Sequence, residues 1–208
     1  MSMLDSLITQ TRTALLINEM QLGVCHPDHA MFKAMPQEAQ KRGVTGNIIA
    51  LADAFRAAGQ PVFHLPCIHR RDFGDVKRNS LISAMSLKHR GMTEGSPEAA
   101  FMPGLEPRPE DYVSTRSSGI FAFLGTDLDL RLRRMGVETV VVTGVSTNLG
   151  IPGIVMAAVD FGYNVVIAED CTAGSDPEVH DMIVREQLRL LGVVTSKDEI
   201  IAALSKRG

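Results

Sequence analysis

Glu19 ends the apolar run Thr13-Ala14-Leu15-Leu16-Ile17-Asn18 and is followed by Met20-Gln21. A carboxylate at the tip of a buried strand sits in a low-dielectric mouth. Burial there favours the protonated form and suits the group to acid or base work. Its other reading is a turn residue bonded to neighbouring backbone N–H groups. Arg116, in Thr115-Arg116-Ser117-Ser118-Gly119, offers a planar two-pronged donor to Glu19 or to a substrate carboxylate. A solvated loop arginine is the alternative. The third segment is Gly144-Val145-Ser146-Thr147-Asn148-Leu149-Gly150-Ile151, a turn between a buried strand and a long helix. Such a turn aims N–H groups at whatever lies in front of it and suits an anion or oxyanion. Asn148 and Thr147 add side-chain donors, unless Thr147 only caps the helix. Gly150 places no nucleophile at the helix start.

Other chemistry-bearing residues point less far. His64, Cys67 and His69 lie close in sequence, but no carboxylate accompanies them at a ligand spacing. No metal and no cofactor is expected. Cys67 and Cys171 follow predicted strands without an evident base, which favours buried small hydrophobes over nucleophiles. Phe121 and Phe123 read as core or as pocket wall.

The elements that must position these groups alternate between apolar runs and helical patterns, the mark of βαβ units and a parallel sheet. Strands are predicted at Thr13–Asn18, Pro61–Leu65, Tyr112–Ser114, Thr139–Val145, Asn164–Ala168 and Val193–Thr195. Helices are predicted at Asn47–Ala58, Leu81–His89, Thr126–Met135, Leu149–Phe161, Pro177–Leu191 and Lys197–Leu204. Gly59 and Gly136 end two of them, and Pro152 fits only a first helical turn. The expectation is one α/β domain over residues 1–208, a three-layer αβα doubly wound sheet of about six mostly parallel strands, with ligands at the carboxyl ends of the strands. The stretch 66–109, rich in Pro, Gly, Arg and His, is expected to be a lid or substrate wall.

Composition narrows the class. The 208 residues are 45% apolar and 22% charged, with a formal charge of −3. That balance gives no electrostatic reason to expect nucleic acid or an anionic membrane as partner. No apolar run reaches the roughly 18–20 residues of a membrane span. Three cysteines without C-x-x-C spacing argue against a disulfide framework. With no secretory pattern at Met1–Asp5, a cytoplasmic protein acting on a small molecule is the expectation.

Four segments carry a resemblance: Thr13–Gln21, Phe123-Leu124-Gly125-Thr126-Asp127-Leu128-Asp129, Gly144–Asn148, and Ala158-Val159-Asp160-Phe161-Gly162-Tyr163 followed by Asp170. In this order they resemble the isochorismatase-like, or cysteine hydrolase, superfamily over about Thr13 to Leu204. The resemblance implies that fold, and a homo-dimer or homo-tetramer. It also implies a cis peptide before Ser146 that turns N–H groups into an oxyanion hole. The family's amidases use an Asp, a Lys and an attacking Cys. Those positions fall here on Glu19, on Ser117 (counted back from Phe123, with Arg116 beside it) and on Gly150. The resemblance thus makes Glu19, Arg116, Ser117 and Gly150 the catalytic positions. The substrate-binding ones are Gln21, Phe123, Val145, Ser146, Thr147, Asn148 and Leu149.

A thioester route has no attacking group at Gly150. Isochorismatases also carry glycine there and cleave a vinyl ether without a covalent intermediate, a carboxylic acid protonating the enol carbon. The expectation is therefore a hydrolase working by non-covalent acid/base chemistry at a vinyl ether or related C–O or C–N bond. Two alternatives stand beside it: an inactive relative that binds a small carboxylated or aromatic ligand or supports assembly, and an amidase with its cysteine relocated to Cys25 or Cys67.

Overall fold

The computed structural model describes residues 1–207. Six strands form one parallel sheet: β1 (Thr13–Asn18), β2 (Val62–Leu65), β3 (Tyr112–Val113), β4 (Thr139–Val145), β5 (Asn164–Ala173) and β6 (Val193–Thr195). Their order is β3-β2-β1-β4-β5-β6. The run Thr-Val-Val-Val-Thr-Gly-Val makes β4 a strand because β-branched side chains suit a pleat covered on both faces, and every residue of it is buried.

Alternation along the strands divides the core into two layers. Leu15, Ile17, Val141 and Val166 face a cluster built on Ile8, Ile48, Leu51, Phe55 and Ile200. These come from α1 (Met3–Gln10), α4 (Val44–Ala57) and α9 (Lys197–Leu204), with the short α2 (Leu22–Cys25) and α3 (Ala34–Lys41) alongside. Ala14, Leu16, Val140 and Val142 face the opposite cluster, with Leu128, Leu132, Ile151, Ile154 and Val184. Those belong to α6 (Leu128–Arg134), α7 (Gly150–Asp160) and α8 (Pro177–Glu186). The result is a three-layer αβα sheet of six parallel strands. Among the described residues, no helix is long and apolar enough to cross a membrane.

Several boundaries differ from the sequence reading. Strand β5 runs on to Ala173 through a register shift against β4, so Cys171 lies inside the strand, not after it. Helix α8 ends at Glu186, and a single 3-10 turn at Leu188–Leu190 completes the segment that reads as one helix. Helices α1, α2 and α3 are additional. In the stretch 66–109, α5 (Leu81–His89) is helical over the predicted span, behind a capping box made by Ser80 and Ser83.

Strand order reverses between β1 and β4, where Asn18 pairs with Gly144. Sequence and topology therefore converge on one place: the end of β1 and the turn after β4 meet at the switch point of the sheet.

Candidate active site

Glu19 follows directly from β1 with φ +49° and donates its N–H to Leu65 O at the end of β2. Its carboxylate Oε1 accepts a charge-assisted hydrogen bond from Arg116 Nη2. The arginine side chain is 4% exposed and the glutamate 21%, so the pair sits at a mouth and not in bulk solvent. Arg116 Nε donates to Gly119 O at 3.3 Å, while the buried Nη1 has no partner among the described residues. Burial pushes the guanidinium down to about 10, which leaves it cationic at neutral pH. The arginine is thus the partner of Glu19 and not a solvated loop residue.

Ser117, the position reached by counting back from Phe123, is not at the carboxylate. Its carbonyl accepts from His69 Nδ1 at 2.6 Å. Gly119, three residues after Arg116, turns the chain with φ +82°, and its carbonyl accepts from Arg116 Nε. Arg116, Ser117 and Ser118 line a cleft of about 590 Å³ together with Ile68, Asp75 and Glu94. The last three come from the stretch 66–109, which therefore supplies part of a wall.

The Val145–Ser146 peptide is cis. In the turn after β4, Thr147 N–H is used by Ala173 O at 2.8 Å, and Leu149 N–H by Ser146 O at 3.1 Å. The N–H groups of Ser146, Asn148 and Gly150 have no backbone acceptor among the described residues. Thr147 does not cap α7: its hydroxyl is buried and pairs with His180 Nδ1 at 2.8 Å. Asn148 and Leu149 are exposed at the rim.

Asn18 was not among the sequence-predicted residues. Its side chain is fully buried, Nδ2 donates to Val145 O, and Oδ1 has no partner among the described residues. A β-carbon placed on Gly150 would lie 2.7 Å from that Nδ2. Position 150 is therefore filled from the neighbouring strand, and any side chain there needs Asn18 to move. Asparagine at a strand end carries no motif, which is why sequence reasoning passed over it.

Two other predicted binding residues are committed to the scaffold. Gln21 is buried, donates to Cys67 O at 3.1 Å and Ala99 O at 2.9 Å, and accepts from Cys67 N at 2.9 Å. It ties the wall segment to β1 and leaves no amide group free. Phe123 packs in the core, with ring centroids 5.4 Å from Phe161 and 6.1 Å from Tyr163. Phe121, by contrast, is exposed and lies over Gly153 of α7.

The histidines and thiols have their own roles. His64 Nε2 meets the buried carboxylate of Asp111 at 3.1 Å, with Arg56 on the same group at 2.7 Å. All three cysteines are free and buried. Burial pushes Cys25 and Cys67 up to about 12, and it raises Cys171 as well.

Comparison with known proteins agrees with this architecture. The profile of the Isochorismatase domain matches residues 13–199. The isochorismatase family protein YecD of Escherichia coli O157:H7 is 31% identical over 92% of this chain and 96% of its own. A protein of Arabidopsis thaliana that bears the name "probable inactive nicotinamidase" is 29% identical over 88% of this chain and 91% of its own. Among solved structures, an isochorismatase family protein from Desulfovibrio vulgaris superposes with a TM-score of 0.80 at 26% identity, covering 94% of this chain and all (100%) of that one. With its parallel sheet, its switch-point turn and a domain match over most of its length, this chain belongs to the isochorismatase family.

Proposed function

We propose that this protein is a hydrolase of small metabolites that forms no covalent enzyme intermediate, with Glu19 moving the proton. The observation that carries this reading is the ion pair of Glu19 with buried Arg116, beside a turn that offers N–H donors and no thiol. A guanidinium in contact favours the ionised carboxylate. Glu19 therefore starts as the base: it takes a proton from water, and the water oxygen attacks the substrate carbon. The N–H groups of Ser146, Asn148 and Gly150 receive the charge that develops on the substrate oxygen. Glu19 then returns its proton to the leaving nitrogen or oxygen. This order favours an acyl C–N or C–O bond over a vinyl ether, which needs a protonated carboxyl at the outset. Arg116 is also the candidate anchor for a substrate carboxylate, through a movement that uncovers its buried, unpartnered Nη1.

A relocated thiol has little to support it, because Cys25 and Cys67 are buried and stay protonated at neutral pH. A second reading, a catalytically silent binder of small carboxylates, draws on the filled space at Gly150 and on the likeness to the Arabidopsis protein. Pre-steady-state turnover of a panel of small amides, esters and vinyl ethers separates them. The hydrolase reading expects turnover without an initial burst and an intact mass without an adduct. A burst with an acylated chain contradicts it. Saturable binding of small carboxylates with no turnover of any panel member supports the silent binder.

A further inference from the structure

Thr147 links the turn after β4 to a second group of side chains that the proposed reaction does not use. His180, on α8, is 1% exposed, and its Nδ1 meets Thr147 Oγ1 at 2.8 Å. Its other ring nitrogen, Nε2, is buried and has no hydrogen-bond partner among the described residues. Glu169 in β5 and Asp181, next along α8, bring carboxylates near the His180 ring. One coordinating atom from each of Glu169, His180 and Asp181 lies within 4.8 Å of the others.

With the Thr147 hydroxyl accepting from Nδ1–H, the tautomer this proposal requires, Nε2 carries the lone pair. That is the arrangement in which histidine binds metals, with its second nitrogen oriented by an outer partner. Burial, reinforced by the charge of Arg42, pushes His180 down to about 4, so the ring is neutral at pH 7 and no proton need leave when an ion arrives. One imidazole nitrogen with two carboxylates is a donor set for a borderline divalent ion. It has too few oxygens for calcium and no sulfur for a soft ion.

We propose that Glu169, His180 and Asp181 form a binding site for a divalent first-row transition-metal ion of the zinc, cobalt or manganese type, with Nε2 of His180 as the nitrogen ligand. Arg42 is the internal competitor. Its Nη2 lies 3.5 Å from Glu169 Oε1, and its Nε donates to Thr172 O at 3.2 Å. A fixed cation on a ligand carboxylate weakens binding of a second cation and holds Glu169 in place without one. Through His180 and Thr147, an ion here would brace the turn after β4 without touching a substrate. The site does not depend on the proposed reaction.

The test is titration of the chelator-stripped full chain with Co²⁺ followed by visible absorption, and with Zn²⁺ followed by calorimetry. Three proteins are compared: wild type, Asp181→Asn and Arg42→Gln. Asp181 is exposed, so its variant keeps the fold even where a His180 substitution does not. The expected result is one ion per chain for wild type, with Asp181→Asn weaker by about tenfold or more, as loss of a ligand group predicts. Arg42→Gln should bind several-fold tighter, and Zn²⁺ should raise the melting temperature of wild type but not of Asp181→Asn. No saturable binding overturns the proposal. So does binding that is unchanged in Asp181→Asn, which would place the ion elsewhere, such as at the half-buried pair His26 and His29.

Discussion

Asn18 and Gly150 occupy a single volume at the switch point: the asparagine amide stands 2.7 Å from where a β-carbon on residue 150 would be. The amide is also held by Val145 O, so it is not free to swing away without losing that bond. The glycine is thus one half of a packed pair that joins β1 to the start of α7.

Gly150→Ala tests this packing. Gly150 is not at positive φ, so alanine suits its backbone and should stabilise by about 0.4–1 kcal/mol if space allowed. With Asn18 in the way, a loss of about 1–3 kcal/mol is expected in urea unfolding. Asn18→Ala in the same chain should recover most of it. A stabilised Gly150→Ala single variant contradicts the shared volume.

Arg116→Met should lower kcat/KM on any substrate found by about 10²-fold or more, because Glu19 loses the partner that orients it and keeps it ionised. The stability cost should be about 1–3 kcal/mol, moderated because the Glu19 side chain is a fifth exposed and regains water. Circular dichroism and denaturant unfolding separate the two effects. An unchanged rate removes Arg116 from the machinery.

The three thiols should resist iodoacetamide at pH 8 in the native protein and react in urea, since burial keeps each protonated. Mass spectrometry counts the adducts. Rapid native labelling of Cys25 or Cys67 with parallel loss of activity would reinstate a thiol mechanism.

Stability should fall on acidification through His180. Its folded-state proton affinity is depressed to about 4, while the unfolded chain titrates near 6.5. The unfolded state therefore binds the proton first. The contribution is complete above pH 6.5 and is lost as pH falls towards 4, on the order of 3 kcal/mol in all. His64, also depressed by burial, acts in the same direction. Urea unfolding at pH 7.5 and pH 5 should show the drop, and His180→Asn should shrink it. A flat profile for wild type contradicts the buried neutral ring.

Legibility in the sequence followed how local each signal was. The β4 run and the stop at Gly59 were readable because β-branched crowding and a left-handed glycine act within a few residues. Helices α2 and α3 are hard to read from sequence because α2 is a single turn of 4 residues and α3 carries Pro36 inside its 8, which breaks the helical pattern. Glu19 and the turn after β4 were visible as strand ends. The pairing of Glu19 with Arg116, not Ser117, is a contact between segments 97 residues apart, which a residue count cannot register. The commitments of Gln21 and Thr147 arise from partners dozens of residues away, so nothing near them in sequence announces it.

The most direct test of the central claim is kcat/KM of Glu19→Gln against wild type on one hydrolysed substrate, with the fold checked by circular dichroism. Glutamine keeps the size and the contact with Arg116 but cannot take or return a proton. The account predicts a loss of about 10²–10⁴-fold across the pH range. Turnover equal to wild type would show that the proton moves through another group.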